Sequence, residues 1–408
     1  MVPHLPMAQN ALSVLRYRPF RLYWAGQAVS LTGTWMQVMA QGWVITSLSA
    51  DAWTLGAFNL AGSIPMLLLG VRGGELADRL DKKTILLWSQ AAMMALAFAF
   101  AGLLYSGALQ LWHVFAFGLV VSVVEAFEFP ASQGMAPELV DPPDIPQAVA
   151  MMQTIFQAGR LVGPALAGFL IARWGEASAF VANGLSFLAV IVSLLLIRRG
   201  QAPRAPQAHD KASGKFALGF AYVRGDAITR ALLGLLTLCV VLVFPTLVMM
   251  PFYARHVLQV DAVGQGELLS VSGLGALVGS LILLRASSAA WRQRLWVSVV
   301  GVALCMALMA VAPDVRTASV AVCGLSLAIA LLMGSVNQTV QARVPAELRG
   351  RVSALFGMVF TSVLPFAALA LTALADVVGM RQLTGVSAGA FVVASVVLLL
   401  QTRKDTGP

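Results

Sequence analysis

The chain has 408 residues, of which 59% are apolar (AVILMFWYC) and 11% are Asp, Glu, Lys or Arg, against roughly 25% charge in a soluble domain, which excludes a water-soluble fold. At about 20 apolar residues per crossing the length holds about twelve membrane spans and leaves no room for a large soluble domain. The net charge of +9 follows the spacing of the apolar runs, so it fits membrane topology and argues against a nucleic-acid partner.

The segment before the first apolar run carries Arg16, Arg18 and Arg21 and has no short apolar core with a cleavage site, so no signal peptide is expected to be removed. Six spans are predicted near 22–48, 54–76, 84–107, 110–135, 147–173 and 176–197, and six more near 230–253, 262–285, 295–313, 316–341, 351–375 and 382–401. The expected organisation is an N-terminal six-helix bundle over 1–197, a cytosolic linker over 198–229 with a short surface helix around 216–223, and a C-terminal six-helix bundle over 230–408. Pro65, Pro130, Pro245, Pro251 and Pro365 fall inside spans and predict bends. Cys239, Cys305 and Cys323 lie in apolar runs without disulfide or metal-site spacing, so core packing is expected and no metal.

Most of the 27 Lys and Arg fall at one set of span ends and in the linker, whereas the opposite side keeps Arg173, Arg255, Arg316 and Arg381. The bias predicts that both termini and the linker face the cytosol. Leu87-Trp88 recurs as Leu295-Trp296, and Gln133 with Pro137 recurs as Gln341 with Pro345, each 208 residues later. These repeats predict two pseudo-symmetric six-helix units related by an axis along the membrane normal.

After the second span comes Gly73-Gly74-Glu75-Leu76-Ala77-Asp78-Arg79-Leu80-Asp81-Lys82-Lys83. The glycines allow close helix approach, Asp78 is expected to cap the next turn, and Arg79, Lys82 and Lys83 hold the loop in the cytosol. The run resembles the signature loop of the major facilitator superfamily. Asp81 stands where that signature often has Gly, and Ser132 where relatives often carry Arg. Trp35 to Trp43, Pro137 to Val140, Arg160 to Gly168 and Val344 to Val352 narrow the likeness to the proton-linked exporter branch that includes enterobactin and macrolide exporters. Gly163-Pro164 with Gly168 is similar to the antiporter motif of the fifth helix. The resemblance implies the all-α major facilitator fold with twelve transmembrane helices, and export of a small molecule by alternating access, driven by the proton gradient without a cofactor. The expected setting is the bacterial cytoplasmic membrane, with a monomer in contact with lipid, protons and substrate.

Ionisable groups inside spans cost at least about 2.5 kcal/mol each. Glu125 and Glu128 share a face of the fourth span, and Arg160 lies at a similar depth on the fifth. They are read either as proton-coupling residues, with Arg160 sensing the carboxylate charge, or as a structural pair between Glu125 and Arg160. Glu267 and Asp376 lie near outer span ends, where a solvated rim is the default, and His113 near an outer interface. Because the first, fourth, seventh and tenth helices line the cavity in the resembled fold, Gln37, Gln41, Asn337 and Gln341 are candidate substrate contacts. Trp43, Phe127, Phe244, Met249, Met250 and Phe252 are candidates for an apolar wall. Interhelical hydrogen bonding and core packing are the alternatives.

No phosphate-binding loop occurs, which disfavours ATP drive, and His4, His113, His209 and His256 are too scattered for an enzyme site. The remaining alternatives are a lipid flippase or a gradient-driven importer of the same fold.

Overall fold

The computed structural model describes residues 11–197, 216–285 and 290–404. The elements are α1 (Arg18–Leu48), α2 (Trp53–Arg79), α3 (Lys82–Tyr105), α4 (Leu111–Glu138), α5 (Ile145–Trp174) and α6 (Ala177–Leu196). They continue with α7 (Phe216–Gly225), α8 (Ala227–Leu242), α9 (Phe244–Val248), α10 (Met250–Phe252), α11 (Ala262–Leu284) and α12 (Trp291–Val311). The chain ends in α13 (Val315–Arg343), α14 (Ala346–Met358), α15 (Leu364–Val378) and α16 (Met380–Lys404). Among the described residues all regular structure is helical, as backbone groups in a hydrocarbon layer require. Eleven helical stretches are long and apolar enough to cross a membrane. The first helix is 31 residues long but too polar for that test, because Gln27, Ser30, Thr32, Thr34, Gln37 and Gln41 all lie on it. With it, the twelve expected spans are accounted for. The expected surface helix is α7, while residues 198–215 of the expected linker lie outside the described residues.

The prolines act unequally. Pro65, Pro130 and Pro164 sit inside continuous helices. The seventh span, expected as one helix, is instead broken: α8 stops at Leu242, and Pro245 and Pro251 occupy the first turns of α9 and α10, where a missing N–H costs nothing. A widened turn follows over Tyr253–Val257, closed by the Leu258 N–H donating to the Tyr253 carbonyl at 2.9 Å. The eleventh span divides likewise, with a widened turn over Val359–Val363 between α14 and α15 and Pro365 in the first turn of α15.

The chain forms two compact units, Met1–Ala40 with Ile64–Gln207 and Gln41–Ser63 with Ala208–Pro408. In the first unit α3 packs between α4 and α6, and Phe100 lies 4.5 Å from both Phe117 and Phe180. Gly73 brings α2 so close to α4 that a Cβ there would meet the Ala126 carbonyl oxygen at 2.0 Å. Gly74, by contrast, faces open space, so only the first glycine of the loop motif serves helix approach. Asp78 lies in the last turn of α2, while Asp81 takes the N-cap position of α3 and accepts from the Thr84 hydroxyl at 2.8 Å.

In the second unit, Leu232, Leu235, Leu325, Leu332 and Phe391 form the centre of a wholly buried cluster. The Gln41–Ser63 hairpin is held to this unit by polar side chains. Arg255 donates to the Trp43 carbonyl at 3.2 Å and lies 4.2 Å over the Trp43 ring, and a ring nitrogen of His256 is 3.2 Å from the Thr46 carbonyl. Asp376 on α15 accepts from the Ala52 and Trp53 amides at 2.6 and 2.9 Å. The acid expected to be a solvated rim therefore caps the start of α2, while remaining exposed. Loss of an N-terminal cap costs about 1 kcal/mol. Asp376→Ala is therefore expected to lower unfolding free energy by about 1 kcal/mol in denaturant titrations in detergent, with Asp376→Asn intermediate, because its one carbonyl oxygen can accept from only one of the two amides.

At the start of α8, burial pushes the Asp226 carboxyl up, but hydrogen bonds from the Thr229 hydroxyl and amide and the Arg343 guanidinium outweigh it and hold the group below the ordinary carboxylate range. The Arg343 contact is 3.3 Å. A depressed folded-state value means stability present above the unfolded-state value and lost as pH falls through the folded one. Asp226→Asn should thus be less stable than the parent at neutral pH, with the gap closing in unfolding titrations below about pH 4.

Candidate functional site

In the first unit Glu128 stands at the meeting of α1, α3 and α4, while Glu125 is exposed. Glu125 and Glu128 lie one turn apart on α4, close enough for the charge of one to act on the other. Glu128 is half-buried, and its Oε1 accepts from Gln90 Nε2 on α3 at 2.7 Å. One helical turn further along α4, the Ser132 hydroxyl is 3.2 Å from the Tyr23 hydroxyl of α1, which also accepts from Gln27 Nε2 at 2.9 Å. Tyr23 and Gln27 are buried, and Tyr23 is near enough to Glu128 to feel its charge. A carboxylate pair at this depth, flanked by neutral hydrogen-bonding groups, can hold or release one proton without leaving a charge wholly unsolvated.

The guanidinium of Arg160, on α5, lies 5.9 Å from the centre of the Trp35 ring on α1. The same α1–α5 contact contains the antiporter-like motif. A Cβ on Gly163 would meet Trp35 Cβ at 2.6 Å and the Thr32 carbonyl oxygen at 2.7 Å, and Pro164 and Gly168 are buried beside it.

The residues of the loop between α2 and α3 divide as well. Arg79 is exposed at the end of α2. Lys82 forms an ion pair with Glu138 at the end of α4, and Lys83 donates to the Ile197 carbonyl after α6 at 2.6 Å. They tie the start of α3 to the ends of its two neighbours.

Of the candidate cavity residues, Gln37 accepts from Asn183 of α6 at 2.8 Å, which is interhelical bonding. Trp43 is buried under Arg255. Phe244 packs edge-on against Phe360, with 5.1 Å between ring centres. Gln341 donates to the Ser353 hydroxyl. Gln41 is partly buried and Asn337 exposed, and Met249 and Met250 are fully buried core residues rather than a cavity wall. The residue missed by sequence reasoning is Gln90. A glutamine in the third span was visible, but nothing in the sequence joined it to an acid on the next helix.

Residues 9–406 match the protein family described as transmembrane secretion effector. The MFS-type transporter YfiS of Bacillus subtilis is 31% identical over a region that covers 53% of this chain and 52% of that protein, so the match spans about half of its length. Macrolide efflux protein A of Streptococcus pyogenes is 24% identical over 89% of this chain and 91% of its own. The enterobactin exporter EntS of Salmonella choleraesuis is 26% identical over 85% and 83%. The fold is that of a bacterial homolog of the human lysosomal transporter Spinster, solved in an inward-facing, occupied conformation, with a TM-score of 0.74 at 15% identity over 95% of this chain and 97% of that one.

Proposed function

Because the chain belongs to the transmembrane secretion effector family of the major facilitator superfamily, we propose that it exports a small molecule across the bacterial cytoplasmic membrane in exchange for protons. The observation that carries the proton part is the Glu125–Glu128 pair on α4 with Glu128 held by Gln90. A carrier needs an acid that can exist in either charge state within the protein. Two carboxylates one turn apart oppose joint ionisation, and a neutral amide partner leaves the second state accessible. Arg160 and Gly163 form the α1–α5 contact against which such a change would be felt, with Pro164 and Gly168 buried on the same helix. Gly74, Asp78, Arg79, Lys82 and Lys83 form the switch loop at the cytosolic end. Gln41, Asn337 and Gln341 remain the proposed polar substrate contacts, with Gln37, Trp43 and Phe244 supporting them.

The names of two relatives, an enterobactin exporter and a macrolide efflux protein, support a siderophore as the first substrate class and an amphipathic drug as the second. The proposed form is a monomer with both termini cytosolic. Reporter fusions after Gln201 are expected to be active only with a cytosolic reporter, and activity of a reporter that works only outside would reverse the orientation.

The test uses purified protein in vesicles with the cytosolic face outward and an acidic lumen. Outward proton flow should drive a catecholate siderophore or a macrolide into the lumen, and a protonophore should abolish accumulation. Accumulation that ignores the protonophore refutes proton exchange. Movement in the reverse direction identifies an importer, and accelerated exchange of labelled lipid with no solute movement identifies a flippase.

A further inference from the structure

Gln90 has a feature that the carboxylate pair alone does not explain. Its side chain is 2% exposed, its Nε2 is bonded to Glu128, and its Oε1 has no hydrogen-bond partner. A buried carbonyl oxygen left without a donor costs about 1–3 kcal/mol, and such groups are few in a folded protein. An ionised carboxylate only accepts, so it uses the amide nitrogen. A protonated one has an O–H to donate, and the idle Oε1 belongs to the very group already touching it. The torsion that turns the amide is a broad, roughly two-fold sp³–sp² torsion, so exchange of its two ends meets little intrinsic resistance.

We infer that Gln90 is a positioning residue that holds Glu128 in both of its charge states, donating from Nε2 to the carboxylate and accepting at Oε1 from the protonated acid. This rests on the proposed role of Glu128 in proton exchange. No cationic residue would serve in its place, since Lys or Arg has donors only, and an apolar residue would leave both states unheld. The ionisable groups around Glu128 are consistent with an arrangement built for this purpose. Its own helix supplies Glu125, and α1 supplies the Tyr23 hydroxyl, which meets Ser132 and Gln27. The α3 cations Lys82 and Lys83 are engaged at the far end with Glu138 and the Ile197 carbonyl. Arg160 of α5 lies over Trp35, and on α2 Arg72 is exposed beside Gly73. The direct partner of Glu128 is thus an amide that carries no charge.

The test has two arms, both with the full-length protein. In infrared difference spectra between acidic and neutral pH, the protonated carboxyl band of Glu128 is assigned as the one missing from Glu128→Gln. Gln90→Met, which keeps length and removes both polar ends, is expected to move that band to higher frequency. An unmoved band overturns the inference whatever the transport data show. In vesicles, Gln90→Met is expected to reduce gradient-driven accumulation at least about fivefold, equivalent to about 1 kcal/mol, with downhill exchange within twofold. In the Glu128→Gln background the same substitution should have no further effect on accumulation or exchange. A further loss there would show a merely structural role for Gln90. If Glu128→Gln itself leaves accumulation intact, proton exchange through Glu128 fails, while the spectroscopic arm still decides the hydrogen-bonding role.

Discussion

Replacing Glu125 and Glu128 together with Gln is expected to abolish accumulation driven by a pH gradient, by at least tenfold, while downhill exchange of substrate stays within about threefold. A tenfold change corresponds to about 1.4 kcal/mol, well under the cost of about 2.5 kcal/mol or more for placing a charged acid within a span. The substitution removes the exchangeable charge but keeps the local geometry. A glutamine at 128 still presents a carbonyl oxygen to Gln90 Nε2, and the contact of Gly73 with the Ala126 backbone does not depend on either acid. Folded yield should therefore equal that of the parent, which makes transport the quantity under test. Counterflow of labelled substrate with and without an imposed pH gradient separates the two activities. Accumulation by the double variant at the parental rate would make the pair structural and turn attention to Asp78, Glu267 and Asp376.

The second large effect is steric. Gly163→Leu should leave little folded protein, and Gly163→Ala should lose about 1–3 kcal/mol of stability, the usual range for added bulk in a packed interior. Two of the atoms that a Cβ would meet are backbone, the Thr32 carbonyl oxygen at 2.7 Å and the Met36 nitrogen at 3.1 Å, and a Cβ on Gly159 one turn earlier would meet the Leu31 backbone at 3.2 Å. Neither can move without displacing α1 along its length. Intrinsic helix propensity favours Ala over Gly by about 1 kcal/mol, so the expected sign opposes propensity. Gly74→Leu serves as the control, because nothing lies within 4 Å of the added Cβ and its stability should match the parent. Thermal unfolding followed by size-exclusion chromatography in detergent reads all three.

The spans were legible because burying a backbone in hydrocarbon demands long apolar runs, and these mark the chain directly. The expected runs at 176–197 and 262–285 match helices Ala177–Leu196 and Ala262–Leu284. The breaks in the seventh and eleventh spans were signalled by Pro245, Pro251 and Pro365, but not their form, since Pro130 and Pro164 occur in helices that continue through them. At the site, the spacing of Glu125 and Glu128 placed them on one face of one helix. Their partners came from other helices, so no local rule could supply them. Gln90 is 38 positions from Glu128, and Asp376 is 324 from the amide of Ala52 that it caps. The contact of Arg160 with the Trp35 ring on α1 is another that its depth in the span did not announce. Charge and depth are written in sequence, whereas the azimuth of a side chain about its helix depends on neighbours that arrive later.

The polarity of the first helix bears on how the chain enters its membrane at all. Gln27, Thr32, Thr34, Gln37 and Gln41 make it too hydrophilic to leave the insertion machinery for lipid unaided. Thr32 and Thr34 satisfy themselves on carbonyls of their own helix, but Gln37 is matched by Asn183 and Tyr23 by Ser132. Those partners are synthesised about a hundred residues or more later, several seconds at the usual rate of 5–20 residues per second. During that interval the hydrogen bonds of Gln37 and Tyr23 seen in the folded chain cannot form. The side chains that give this helix its place beside the acidic pair thus also tie its completion to helices made later.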